Sequence, residues 1–405
     1  MMEDSASGAR KGLAGLFRIG ATDARLVSMA LILVAMWLFF RSQVGSFYFS
    51  GESIAKLSRD MATWAILASG MTLVIVCGCI DLSVGSLLAF SAAVCAFLMD
   101  PETGLGQPAL VAVPPAVAVA ALLGFIQGSL VAWCRIPSFI VTLGGMFVFR
   151  GLTQKVSAKD PRIPDASWVN ALGFSYVPPG AGFFLAAAAV AGMAAWAVHE
   201  ARRRERLGMP PGWAGVAIEV SAVAALLFGF VFKVNQYRGI PAQTLAMAVC
   251  MLIVGFIAKR TVFGRRVFAV GGNAEAAKLS GIRVEMVTVS VFTLMGFLAG
   301  IAGVVWMAQN QGATQKAGEW YELYAVAACV IGGTSLLGGR GSVAGSFMGA
   351  LIMATVVQGM DYLGLENWLQ LVVRGSVLVL AVGLDMAGRS PPAWLRRRKV
   401  SSSFS

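Results

Sequence analysis

Charged residues are scarce along this chain and fall between long apolar runs. Residues 26–40, bounded by Arg25 and Arg41, carry no charge, and neither do the twenty residues 61–80. At about 1.5 Å per residue, twenty helical residues cross a hydrocarbon core of about 30 Å. The same pattern recurs at 84–98, 109–133, 137–149, 183–198, 215–232, 243–258, 286–307, 321–337, 342–360 and 368–384. The segment 137–149 is short for a full crossing and suits a re-entrant or half-spanning helix, so ten to twelve membrane segments are predicted. Only helices satisfy every backbone group along such segments in lipid. The expected fold is therefore an all-α, polytopic transmembrane helical bundle. It falls into a polar segment at 1–25, a membrane domain at 26–387 and a basic tail at 388–405.

Composition agrees with this reading. The chain is 58% hydrophobic and 13% charged, against roughly 25% charged in a soluble domain. Its 47 glycines suit the close helix packing of membrane bundles. The net charge of +12 suggests a nucleic-acid partner only until the basic residues are placed. They stand at the ends of apolar spans, where they act as topology signals. With the N-terminus inside and every segment crossing, 21 Lys and Arg fall in inside loops and ten in outside loops. Both termini are thus expected in the cytoplasm, with loop 150–182 outside and loop 259–285 inside. Pro161, Pro164, Pro178 and Pro179 predict irregular structure or short helices in the outside loop. The polar residues 401–405 are expected to be disordered.

The chemistry of soluble enzymes is missing. A single histidine, His199, supports neither a metal site nor a Ser-His-Asp relay. Cys77, Cys79, Cys95, Cys134, Cys250 and Cys329 lie in or beside apolar segments, without zinc-site spacing, and read as buried, inert thiols. The string Gly333-Thr-Ser-Leu-Leu-Gly338-Gly339-Arg340 lacks the Gly-Lys-Ser/Thr ending of a phosphate loop. No metal, cofactor or nucleotide site is predicted.

The inside stretch 264–285 reads GRRVFAVGGNAEAAKLSGIRVE. Asn273 suits an N-cap, and Glu275 lies in the first turn, where an acid favours the helix dipole. Residues 274–280 would make about two turns, and Gly281 fits a left-handed C-terminal cap. The prediction is a short, stiff helix between two spans, with Ala276 and Ala277 leaving room for a partner surface. An ordinary capped loop helix fits the same residues.

Glu275-Ala276-Ala277 followed by Gly281 resembles the EAA-x-x-x-G loop of ABC importer permeases. Three further strings are similar to those of branched-chain amino-acid, ribose and xylose-type permeases, in the same order. They are Ile80-Asp81-Leu82-Ser83-Val84-Gly85-Ser86, the run from Arg135 through Pro137 to Gly145 and Met146, and Leu337-Gly-Gly-Arg-Gly-Ser342. The resemblance covers approximately 61–385, and the long 150–215 region is most similar to the xylose-type members. It implies a sugar-importing permease subunit, paired with a second copy. The implied partners are cytoplasmic ATP-binding subunits, coupled through Asn273, Glu275, Ala276, Ala277 and Gly281, and a periplasmic sugar-binding protein. Membrane lipid is the remaining partner, and nucleic acid is not one.

Two readings of Asp81 stay open. It stands near the translocation path together with Ser83, or fixes the turn between the spans, because a carboxylate in lipid is costly unless it faces a cavity or interface. Alternatively, Asp81 and Ser83 cap the following helix at the cytoplasmic surface. Arg374 is expected to snorkel towards Asp361 or Glu366. Both halves also hold a glycine-interrupted apolar region, at 80–86 and 332–345, a pattern that points to a transport path. The rival functions are a branched-chain amino-acid or other small-solute permease and an ion-coupled secondary transporter. The latter calls for embedded acidic or histidine relays, and few are offered here.

Overall fold

The structure is a computed structural model describing residues 21–164, 167–210 and 212–389. The tail beyond 389 and its expected disorder lie outside the described residues. In order the helices are α1 (Ala21–Val44), α2 (Gly51–Val76), α3 (Val84–Met99), α4 (Ala109–Ala132) and α5 (Ser138–Val156). Then come α6 (Trp168–Phe174), α7 (Pro179–Arg206), α8 (Trp213–Asn235), α9 (Ala242–Arg260) and α10 (Val262–Gly272). The last are α11 (Ala274–Leu279), α12 (Val284–Asn310), α13 (Tyr321–Ile331), α14 (Val343–Tyr362) and α15 (Asn367–Arg389). Eight of them (α1, α2, α4, α7, α8, α9, α12 and α14) are long and apolar enough to cross a membrane, and α3 and α13 are shorter apolar helices.

Every predicted segment contains a helix, but several ends differ. Helix α2 starts ten residues ahead of 61, because the Ser50 side chain accepts from the Ser53 amide (3.1 Å) and so caps a charged first part. Helix α5 runs for 19 residues, about 28 Å, longer than the 137–149 segment, but it is not among the eight helices apolar enough to cross a membrane. Arg150, which ended the apolar reading, lies within it and donates to the Ala317 carbonyl (2.6 Å). Segment 321–337 is helical only to Ile331, because Gly333 turns the chain at φ +87°. Among the thiols, Cys134 is exposed and Cys79 half-buried, so the expectation of six buried cysteines is corrected at these two.

Helix α2 is the axis of the bundle, and its residues 61–76 are all buried. Thr72 Oγ1 lies 2.6 Å from Ser346 Oγ, joining α2 to α14 inside the core. Helices α4 and α12 meet through paired small-residue stripes, Gly124 with Gly128 and Gly296 with Gly300. A Cβ on Gly124 would lie 3.0 Å from the Gly296 Cα, and one on Gly128 would lie 2.9 Å from the Val289 Cα. Backbones this close gain dispersion that larger side chains would forbid. By contrast α7 and α8 pair with each other at the edge, with most residues exposed.

The loops on the side of 150–182 knit together. Asp100, at the end of α3, accepts from the Glu102 amide (2.8 Å), the Thr103 hydroxyl (2.6 Å) and the Arg162 amide (3.0 Å). Tyr176–Val177 (β1) pairs antiparallel with Ile240–Pro241 (β2), and the short α6 packs beside α12. Arg374 turns inward: it donates to the Tyr324 hydroxyl (2.6 Å) and to Gln370, and Gln370 in turn donates to Asp361 (3.1 Å). The expected direct contact with Asp361 or Glu366 is replaced by this relay, since the guanidinium also lies 5.7 Å from the Tyr324 ring centre.

Candidate coupling and translocation sites

Helix α11 forms as its end residues dictate. Asn273 is extended at φ −162°, and its side chain accepts from the Ala276 amide (2.9 Å), satisfying one of the free first-turn donors. At the other end Gly281 has φ +82°, its amide donates to the Lys278 carbonyl, and the Ile282 amide donates to the Ala277 carbonyl, both at 3.0 Å. These two bonds are a complete Schellman cap. Ala277 faces inward and is buried, whereas Glu275 and Ala276 are exposed. Lys278 Nζ and Glu285 Oε1 lie 3.9 Å apart, tying the helix to the start of α12.

What the residue pattern missed is Leu279, which is 90% exposed at the end of α11. Leu337, in the loop before α14, is 81% exposed. Glycines bring that loop and α10 together: the Gly339 amide donates to the Val76 carbonyl (2.9 Å), and a Cβ on Gly339 would lie 2.9 Å from the Gly272 Cα. Two of the strings read separately in the sequence, Gly271-Gly272-Asn273 and Gly338-Gly339, therefore form one junction at the end of α2.

The second region lies deeper. Helices α3 and α13 span only 16 and 11 residues, about 24 and 16 Å, short of the hydrocarbon thickness. Their N-termini face one another. A Cβ on Gly85 would collide with the Glu322 carboxylate and stand 2.5 Å from the Gly318 carbonyl. Glu322 sits in the first turn of α13 and reaches the first turn of α3. It is 7% exposed, and its Oε2 has no hydrogen-bond partner among the described residues.

Asp81 and Ser83 belong to the same region. Asp81 is 1% exposed and accepts from the Ser83 amide (2.8 Å) and hydroxyl (2.7 Å). Ser83 Oγ also lies 3.1 Å from Gln127 Oε1, and Gln127 Nε2 is buried without a partner among the described residues. Asp81 is therefore not at a surface, and neither side chain caps the amides of α3; the surface-capping reading is corrected. Glu322 and Gln127 were missed in the sequence, although a lone acid within an apolar span is the kind of signal that marks such a site.

Sequence comparison adds the following. Residues 53–382 match the family described as branched-chain amino acid transport system / permease component. The chain is 37% identical to the xylose transport system permease protein XylH of Escherichia coli K12, covering 92% of this chain and 94% of that one. It is 33% identical to the ribose import permease protein RbsC of the same organism, over 88% and 92%. It is 34% identical to the Bacillus subtilis ribose permease RbsC, over 82% and 84%. No solved structure matches.

Proposed function

Since the chain belongs to the branched-chain amino acid transport system / permease component family, we propose that it is the membrane-spanning subunit of an ATP-driven monosaccharide importer, carrying xylose or a similar pentose or hexose. It is a multi-pass inner-membrane protein. The observation that carries the sugar assignment is similarity over nine-tenths of the chain to a xylose permease, with ribose permeases next. Family membership implies ATP-binding and substrate-binding partner proteins. Two copies of this subunit, with the sugar path between them, complete the proposed assembly.

In this reading α11 docks in a groove of the ATPase. Its stiffness, from the Asn273 cap and the Schellman turn at Gly281, lets it pass on displacement instead of bending. Leu279 and Leu337 are the apolar anchors; burying one leucine side chain contributes about 1.5–3 kcal/mol. The junction of Gly271, Gly339 and Val76 then carries the movement into α2. The polar cluster of Asp81, Ser83, Gln127 and Glu322, where two short helices meet end to end, serves as the gate of the sugar path. Discontinuous helices with N-termini converging near the midplane are a recurring way to build such a point. The sugar crosses chemically unchanged. ATP hydrolysis belongs to the partner, because the Gly333–Arg340 string has no phosphate-binding lysine.

The test is uptake of radiolabelled xylose into proteoliposomes. Uptake is expected only when this chain, its ATPase and its binding protein are all present with ATP, and the purified chain alone should neither bind nor hydrolyse ATP. Uptake by this chain alone under an ion gradient would overturn the reading. A branched-chain amino-acid substrate has the family description in its favour; competition by unlabelled leucine instead of unlabelled xylose would establish it.

A further inference from the structure

At the end of the bundle that carries α11, a cavity of about 320 Å³ lies between the C-terminus of α4 and the N-terminus of α12. It is lined by Ala132, Trp133, Arg135, Arg283, Glu285 and Met286. Neither guanidinium has a hydrogen-bond or ion-pair partner among the described residues, whereas Glu285, the one acid in the wall, faces Lys278. The cavity is therefore basic. Arg135 is held at φ +54°, a left-handed conformation uncommon outside glycine and one that clusters at functional positions.

One side of the cavity is apolar and open. Trp133 is 54% exposed and meets Phe125 edge-to-face at 6.3 Å. Exposed Leu122, Phe125, Ile126 and Leu130 continue the same surface along α4 into the span. An exposed indole at the end of an apolar helix marks the level of the lipid headgroups. Two unpaired arginines beside it, between two membrane helices, match the headgroup phosphate of an anionic lipid. A soluble anion would use the arginines but not this aromatic wall.

We propose that Arg135 and Arg283 bind the phosphate of an anionic phospholipid whose acyl chains lie against Leu122, Phe125 and Ile126 of α4. The site goes beyond the transport reading and does not depend on which solute is carried. Glu285, which borders the cavity, also faces Lys278 of α11, so a lipid seated here lies one ion pair away from the proposed coupling helix.

The experiment places the purified full chain in nanodiscs of equal parts phosphatidylglycerol and phosphatidylcholine and measures the co-retained lipid by mass spectrometry. Phosphatidylglycerol is expected to be enriched over its bulk share. The double variant Arg135→Asn, Arg283→Gln should lose that preference roughly thirtyfold, as expected for removing two basic groups from an anionic headgroup. Asparagine is chosen because it tolerates the left-handed backbone at position 135. A second variant, Arg203→Gln with Arg204→Gln, alters the same total charge elsewhere and should leave the enrichment intact. Correct folding is read from thermal unfolding in phosphatidylcholine alone. The proposal is overturned by undiminished enrichment in the folded double variant, by equal loss in the Arg203/Arg204 variant, or by release of the lipid with millimolar inorganic phosphate.

Discussion

Gly271 packs on Gly339 with no side chain between them: a Cβ on Gly271 would stand 2.8 Å from the Gly339 amide nitrogen. It would also collide with the Val76 carbonyl oxygen, which accepts the hydrogen bond of that same amide. Three backbone segments, the ends of α2 and α10 and the loop before α14, thus share one point of contact directly beside α11.

Gly271→Ala should therefore disturb the junction, at a cost of about 1–3 kcal/mol for overpacking a tight contact. Gly272→Ala is the internal control, because nothing lies within 4 Å of its added Cβ. Thermal unfolding of the two purified variants is expected to separate them, with Gly271→Ala lower and Gly272→Ala close to the parent. Equal stability would mean that the junction relaxes freely.

At Gly281 the expectation is different. A Cβ there meets nothing within 4 Å, but φ is +82°, so a β-branched residue pays only a conformational cost of roughly 1 kcal/mol or more. Gly281→Val should insert and express near normally while sugar uptake and co-purification of the ATPase fall together. Glu275→Ala should do less, since an exposed first-turn charge contributes about 0.3–1 kcal/mol. Normal uptake by a well-expressed Gly281→Val variant would return α11 to the status of an ordinary loop helix.

Leu279 offers a cleaner separation of folding from coupling. Being almost wholly exposed, it contributes little to the isolated chain, so Leu279→Ser should leave the melting temperature unchanged. Pull-down of the ATPase is expected to weaken by about ten- to hundredfold if the side chain becomes fully buried on docking. Unchanged pull-down would remove Leu279 from the interface.

Topology is testable with a native reporter. Cys134 is exposed at the end of the bundle that carries α11. In a background that keeps Cys134 alone, an impermeant maleimide should label inverted vesicles but not intact spheroplasts. In a background lacking all six cysteines, Ala158→Cys should show the opposite pattern. Labelling of Cys134 from outside would reverse the proposed orientation.

Asp100 governs the acid side of the loop network around 150–182. Burial raises its carboxyl, but hydrogen bonds from the Thr103 hydroxyl and from the Glu102, Arg162 and Thr103 amides outweigh that and hold it below the usual carboxylate range. A depressed carboxyl stabilises the fold above its unfolded value and loses that contribution as pH falls through the folded one. The parent should thus be flat near neutrality and weaken only below about pH 4. Asp100→Asn should be less stable by about 1–3 kcal/mol already at neutral pH, because an amide cannot accept at both positions. A pH-melting profile of both proteins checks this, and coincident curves at neutral pH would contradict it.

Apolar run length by itself determined that this is an all-helical membrane bundle, because a chain crossing lipid has one local means of satisfying its backbone. Cap chemistry likewise made α11 legible: Asn273 and Gly281 act on neighbours three or four residues away, so their effect is written locally. Charge was a poorer guide to helix ends. Arg150 looked like a boundary at the end of 137–149, yet α5 passes through it because a carbonyl 167 residues away in the chain, at Ala317, receives its guanidinium.

Tertiary structure alone decided the rest. No spacing rule brings Gly271 to Gly339 or the first turn of α3 to that of α13, since these contacts join residues far apart in the chain through backbone approach. Asp81 was ambiguous for the same reason: whether a carboxylate caps a surface helix or lies buried depends on what covers it. Here Ser83 binds its carboxylate and Gln127 in turn meets Ser83, and only packing brings these residues together.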